Sequence, residues 1–307
     1  MSAVYPVAQG LTSHSTTLTP EIWAGKTLIK FYDTTVFAAI SNTDYQGEIK
    51  AHGDTVHIRT VPDITINDYT VGENLSYERP ATTTVDLLID KGKYYAFSVD
   101  DVEAAQSDLN YVEKWSDDAS EQMAISIDTN ILANVYSDAD SSNAGVTAGY
   151  VSSSYDLGAT GDPHGVDKDN ILETLVDCGS CLDEYSVPMS NRWIVLPAVM
   201  CGMIKKSDLK DASLAGDGTS IMRNGRLGII DRFTLYMSNN IATTTDTYTV
   251  YNCIFGHPSS LTFASQLVKN ETLRNPNSFG DLLRGLQVYG YKVIQEKSLG
   301  HLYIYAG

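Results

Sequence analysis

Between Ser98 and Tyr136 small or apolar residues recur at Val102, Ala105, Leu109, Val112, Ala119, Met123, Ile127 and Ile131, at steps of three, four or seven, with no Gly and no Pro. That spacing is one face of a 3.6-residue period and predicts a single amphipathic helix. Ser98 followed by Asp101 has the form of a capping box, and Asp100, Asp101 and Glu103 sit where the positive helix end favours anions. Such a helix would run about 55 Å, longer than a small domain is wide.

Upstream the period is two. Thr55 to Val61 alternates as a strand after the turn His52-Gly53-Asp54, Pro62-Asp63 interrupts it, and Ile64-Thr65-Ile66 resumes. Tyr69 to Pro80 is a polar, Gly-bearing stretch. Thr82 to Asp90 returns as a strand, Lys91-Gly92-Lys93 marks a kink, and Tyr94 to Phe97 leads into the long helix. Residues 50 to 97 therefore read as a long β-hairpin reaching away from the body. A two-stranded ribbon cannot bury a face of its own and leaves both edges unpaired, so it needs another surface to lie on.

The first 19 residues are Ser/Thr-rich and aperiodic, an arm that orders only against a partner. Thr19-Pro20-Glu21 reads as a helix start for a short helix continuing towards Phe31, and Val36, Phe37 and Ile40 follow as apolar contacts. Beyond the long helix, 137–166 reads as loop. A second helix is expected over Asp167 to Tyr185, a buried strand over Arg192 to Leu196, and a third helix from Pro197 through Met203. Gly216 to Arg226 is again loop. Strands follow at Phe233–Met237, Thr247–Ile254, Tyr291–Gln295 and His301–Tyr305, the last two suiting a sheet beneath the long helix. Strands and helices mix as in a compact α+β domain.

Composition narrows the function. The 307 residues carry a net charge of −17 with 43% hydrophobic residues, enough for a substantial core. Nine acids, including Asp117, Asp118, Glu121 and Asp128, stand between Asp100 and Tyr136 against Lys114 alone, and they read as a solvated helix face. A chain this acidic is a poor sequence-independent binder of nucleic acid. The N-terminus has no signal-peptide pattern and no run of about 18 apolar residues occurs, so a soluble protein made in a cytosol is expected.

Candidate chemistry is sparse. Cys178-Gly-Ser-Cys181 falls near the end of a helical pattern, whereas a redox pair normally opens a helix; Cys201 and Cys253 stand alone, so all four read as buried structural thiols. Ser137 to Gly145 has the wrong Gly placement, and no closing Glu, for a calcium loop. The histidines (His14, His52, His57, His164, His257, His301) form no HExxH, and no GxSxG or phosphate-binding glycine pattern occurs. No enzyme, catalytic residue, cofactor or metal site is expected.

The order of these elements resembles the major capsid proteins of tailed bacteriophages, with the Hong Kong 97-type fold. The likeness rests on Gly47-Glu48-Ile49, Gly53-Asp54-Thr55-Val56, Tyr94 to Asp101 and Ile127 to Leu132, and on Phe279-Gly280-Asp281 with Arg284 to Gly290. The resemblance implies an arm and short helix over 1–46, an extended hairpin (E-loop) over 47–97, a discontinuous spine (P) domain over 98–145 and 269–307, and an axial (A) domain over 146–268. It further implies self-assembly through pentamers and hexamers into an icosahedral shell around double-stranded DNA. Implied partners are a scaffolding protein, a portal and a decoration protein, with DNA contacted weakly and no membrane. The implied place is the virion, assembled in the host bacterial cytoplasm. Some relatives cross-link a hairpin Lys to a distant Asn; Lys50, Lys91 and Lys93 lie far from the hairpin tip, so none is expected here. The other readings are a same-fold cellular nanocompartment shell, a secreted acidic β-rich binding protein, and a thiol redox enzyme built on Cys178 and Cys181.

Overall fold

The computed structural model describes residues 32–44, 55–62, 64–101, 111–207, 228–276 and 278–307. The arm, the expected helix after Thr19, the His52-Gly53-Asp54 turn and the Gly216–Arg226 loop lie outside them.

Three sheets carry the described residues. β1 (Thr55–Arg59) and β2 (Thr84–Leu88) form an antiparallel ribbon. β3 (Lys91–Asp100), β10 (Leu261–Arg274) and β11 (Gly280–Val293) form an antiparallel sheet in the order β10-β11-β3. The third and largest sheet runs β4-β12-β9-β5-β7-β6. Its strands are β4 (His164–Val166), β5 (Arg192–Leu196), β6 (Ile229–Ile230), β7 (Phe233–Met237), β9 (Thr249–Gly256) and β12 (Leu299–Ala306), and β8 (Thr243–Thr245) pairs with β9. The helices are α1 (Phe37–Ile40), α2 (Tyr111–Leu132), α3 (Ile171–Glu184) and α4 (Ala198–Lys206).

The long helix is shorter than its sequence pattern predicts. Ser98 is no cap: it lies in β3 opposite Leu282, and the strand continues through Asp100. Ten residues of pairing with β11 outweigh a local capping signal. Of the expected face, Val102, Ala105, Leu109 and Val112 lie outside the described residues or side chains, while Ile127 and Ile131 are fully buried. The helix stops at Leu132, and Val135–Asp138 forms a separate 3-10 turn. Lys91-Gly92-Lys93, expected as a kink, is regular strand.

The helix α2 lies on one face of the three-stranded sheet. Phe97 meets Trp115 edge-on with centroids 5.9 Å apart, and the hydroxyls of Tyr289 and Tyr291 donate to the Oδ1 of Asn130 at 3.3 Å. β11 thus provides the strand expected beneath the helix. β12 does not: it sits inside the large sheet, parallel to β4 and antiparallel to β9.

The remaining lobe follows its sequence closely. The run Arg-Trp-Ile-Val-Leu is buried at every position of β5, as befits a central strand. α3 turns Ile171, Leu175, Cys178 and Leu182 inward, and Pro197 stands at the cap of α4. One continuous core links Ile127, Ile131 and Leu132 of α2 with Trp193, Phe233, Phe255 and Leu302 of the lobe. A separate small cluster, Ile58, Leu87, Ile89 and Ala264, fastens the base of the ribbon to the three-stranded sheet.

Candidate assembly surface

The ribbon's pairing ends where the Thr60 amide donates to the carbonyl of Thr83. Beyond that rung the described chain runs without a ladder, and it is not merely polar. Val61, Ile66, Val71 and Tyr77 are each about nine-tenths exposed (92%, 90%, 90% and 88%), and Ile64, Tyr69 and Leu75 are largely exposed as well. Isolated apolar residues on a surface are ordinary, but a run of seven on one projecting loop is the kind of apolar stretch found at interaction sites. The sequence pattern alone describes Tyr69–Pro80 as a polar loop; the signal it held was an apolar residue every two to four positions from Val61 to Tyr77.

A second surface lies on the three-stranded sheet, on the face away from α2. The ribbon base covers one end of that face, where a Cβ on Gly290 would stand 2.2 Å from the Leu88 carbonyl oxygen. The remainder is open. Tyr94 pairs across to Leu286 and Ala96 to Arg284, and these line a groove of about 450 Å³ with Lys269 and Glu271. Glu271 accepts from Arg284 Nε at 2.9 Å and also pairs with Lys269. Hydrogen bonds from Lys269 and Arg284 hold its carboxyl below the usual range. At the far tip of this sheet Arg274 bridges Asp101 and Asp281, and Phe279 is 80% exposed.

The residues weighed for chemistry are dispersed. His57 Nδ1 meets Asp86 Oδ1 at 2.6 Å across the ribbon, and His164 Nδ1 meets Asp156 at 3.2 Å in the lobe. His301 is packed against Tyr136 and Asn252. Asp140, in the stretch compared with a calcium loop, accepts from the Ser142 amide and the Tyr185 hydroxyl. No cluster able to hold a metal ion is present among the described residues. All four cysteines are free and buried; burial raises each thiol, that of Cys181 to about 12. No helix among the described residues is long and apolar enough to cross a membrane.

Asp128 departs from the solvated face expected of the acids on α2. Asp117 and Glu121 are exposed, but Asp128 has no solvent exposure at all. Its Oδ1 accepts from the amides of Val36 and Phe37 at 3.0 and 2.9 Å, and its Oδ2 accepts from Asn240 Nδ2 at 2.8 Å.

No protein-family model matches the sequence, and no curated protein matches it. Solved structures match it end to end. A structure from Mycobacterium phage Che8 is 28% identical, covers 94% of this chain and 97% of its own, and superposes with a TM-score of 0.78. The capsid of the cyanophage P-SCSP1u is 15% identical over 100% of both chains at a TM-score of 0.73. The mature capsid of bacteriophage PhiM1 is 15% identical over 93% of this chain and 92% of its own, at 0.69. This chain thus shares its mixed α+β fold, over almost the whole length, with solved structures from tailed phages, among them capsids.

Proposed function

We propose that this chain is the major capsid protein of a tailed phage, and that it self-assembles into the icosahedral shell enclosing the double-stranded DNA genome. The observation that carries the reading is the full-length structural likeness to phage capsids, joined by a projecting loop whose apolar residues stay uncovered by the described residues of the subunit. In this reading 1–46 is the arm, 47–97 the E-loop and 98–145 with 269–298 the spine domain. The axial domain, whose copies meet around five- and six-fold axes, is 146–268 together with β12 (Leu299–Ala306), which lies in the large sheet rather than in the spine where the sequence pattern put it. The hairpin lies over a neighbouring subunit, and the open face of the three-stranded sheet is a surface it can reach.

The subunit acts by binding its own copies and catalyses nothing. A scaffolding protein and a portal take part in closure, and assembly occurs in the host cytoplasm. The charge of −17 suits a wall that leaves packaged DNA mobile, because many subunits gripping phosphate would hold it too tightly to release. No lysine stands between Thr60 and Thr83, so the shell closes without hairpin cross-links, and denaturing electrophoresis of particles gives a single band rather than a ladder.

The test is expression followed by sedimentation and negative-stain microscopy. Closed particles are expected; a clean monomer, both alone and with a scaffolding partner, overturns the reading. Deleting Ile66 to Arg79 leaves a folded subunit that no longer closes shells.

A further inference from the structure

Residues 32–44 are bound to three parts of the molecule at once. The Tyr32 hydroxyl donates to Asp118 on α2 at 2.9 Å, and the Val36 and Phe37 amides donate to Asp128, ten residues further along the same helix. Ten helical residues rise about 15 Å, close to what an extended Tyr32–Val36 and the reach of the tyrosine can span. The segment therefore runs along the helix, in the helix's own direction. Val36 and Ile40 are buried in the main core, and Phe37 packs on Phe263 of β10 with ring centroids 5.1 Å apart. Asn42 completes the attachment: its amide donates to the Leu261 carbonyl, its carbonyl accepts from the Phe263 amide, and its side chain accepts from Thr262 Oγ1 at 2.7 Å.

The charge at the centre of this junction is unusual. Asp128 is a fully buried carboxylate held by three N–H groups, two from the incoming segment and one from Asn240 of the lobe. Asn240 is itself 8% exposed, its amide donating to Ser238 Oγ, and Ser238 Oγ in turn donates to the Thr34 carbonyl. Burying a charge is costly unless hydrogen bonds satisfy it, so this carboxylate holds spine helix, lobe and segment in one arrangement.

We propose that the Asp128–Asn240 pair is the joint that aims the N-terminal arm from the subunit body, and that shell closure depends on this pair through the arm. The second half rests on the shell reading above. Asp128 and Asn240 are positioning residues: neither needs to touch a neighbouring subunit.

Reciprocal substitution tests the joint. Asn240→Asp sets a second carboxylate against Asp128 and breaks the bond. Asp128→Asn combined with Asn240→Asp moves the charge across and restores it. The amide then at position 128 donates to the carboxylate at position 240, and its oxygen still accepts from both backbone amides. Hydrogen exchange on unassembled subunits is expected to accelerate about tenfold at Val36 and Phe37 in N240D and to return in the double variant. Particle yield follows the same order. If N240D does not fold, Asn240→Ala removes the donor without adding charge and must show the same loosening in smaller degree. Unchanged exchange in N240D and N240A, or a double variant as loose as N240D, overturns the joint. Wild-type particle yield from N240D with a loosened segment overturns its role in closure. If the wild-type chain forms no particles, the shell reading falls while the exchange data still judge the joint.

Discussion

Arg192, the first residue of β5, has no solvent exposure and donates from Nη2 to Asp183 on α3 at 2.7 Å. The same guanidinium donates to the carbonyls of Pro188, Gly179 and Val187, so it ties the end of α3 to the strand that follows it. Asp183 also accepts from Arg232, which follows Asp231 in the turn between β6 and β7, both residues at positive φ. Replacing Asp183 with Asn leaves a buried guanidinium short of its counter-charge. Because Asp183 itself is partly exposed, the expected loss is about 2 kcal/mol rather than the larger cost of a fully buried pair. Chemical denaturation of the subunit measures it.

Mild acid should weaken the lobe through His301. Burial lowers its pKa from the ordinary 6.5 to about 4. The folded form thus resists a proton that the unfolded chain accepts, so stability is intact above pH 6.5 and declines as the pH falls towards 4. The full effect is about 3 kcal/mol. Asp183 acts lower: burial pushes its carboxyl up, but hydrogen bonds from Arg192 and Arg232 hold it below 3.8 on balance, so its contribution is lost only as the pH drops below that value. Melting temperatures across pH 7 to 4 should fall for the wild type and fall less for His301→Gln.

The ribbon should come loose separately from the body. Among the described residues, a cluster of four buried side chains and the backbone crossing at Gly290 fasten its base. A side chain at Gly290 meets the Leu88 carbonyl, so Gly290→Val is expected to cost about 1–3 kcal/mol. That loss should be confined to exchange protection in residues 55–59 and 84–88, with β5 and β9 protected as before.

The thiols should be silent. Four buried cysteines with raised pKa values give no reaction with a thiol reagent in the native subunit at pH 8, and four equivalents after denaturation. A fast-reacting thiol in the folded protein would contradict the packing of α3 and β9.

The lobe was legible from sequence because its signals are local. Five apolar or buried residues in a row make β5, and Ile171, Leu175, Cys178 and Leu182 make one face of α3. The β10–β11 hairpin was legible only in part, because its strands are written in glycines and charges that make sense only across the sheet. Gly285 lies against the Tyr95 ring, Gly290 beneath the ribbon, and Arg284 opposite Glu271. Ser98 misled for the same reason, since its role is decided by Leu282, far along the chain. The candidate assembly surface was half visible: hairpin and helix order pointed to it, while its apolar content was hidden among turn residues. Asp128 carried no local signal at all; an acid among eight others looks like solvent-facing charge until Val36, Phe37 and Asn240 close around it.

The position of β12 has a consequence for how the chain is made. Its residues, 299–306, separate β4 from β9, which precede it by well over a hundred and by about fifty residues. A ribosome that has delivered everything up to Ser298 has delivered two strands that cannot meet and a core without Leu302 and Ile304. The large sheet therefore closes only once β12 is made, and a chain interrupted before it leaves β4 and one edge of β9 unpaired.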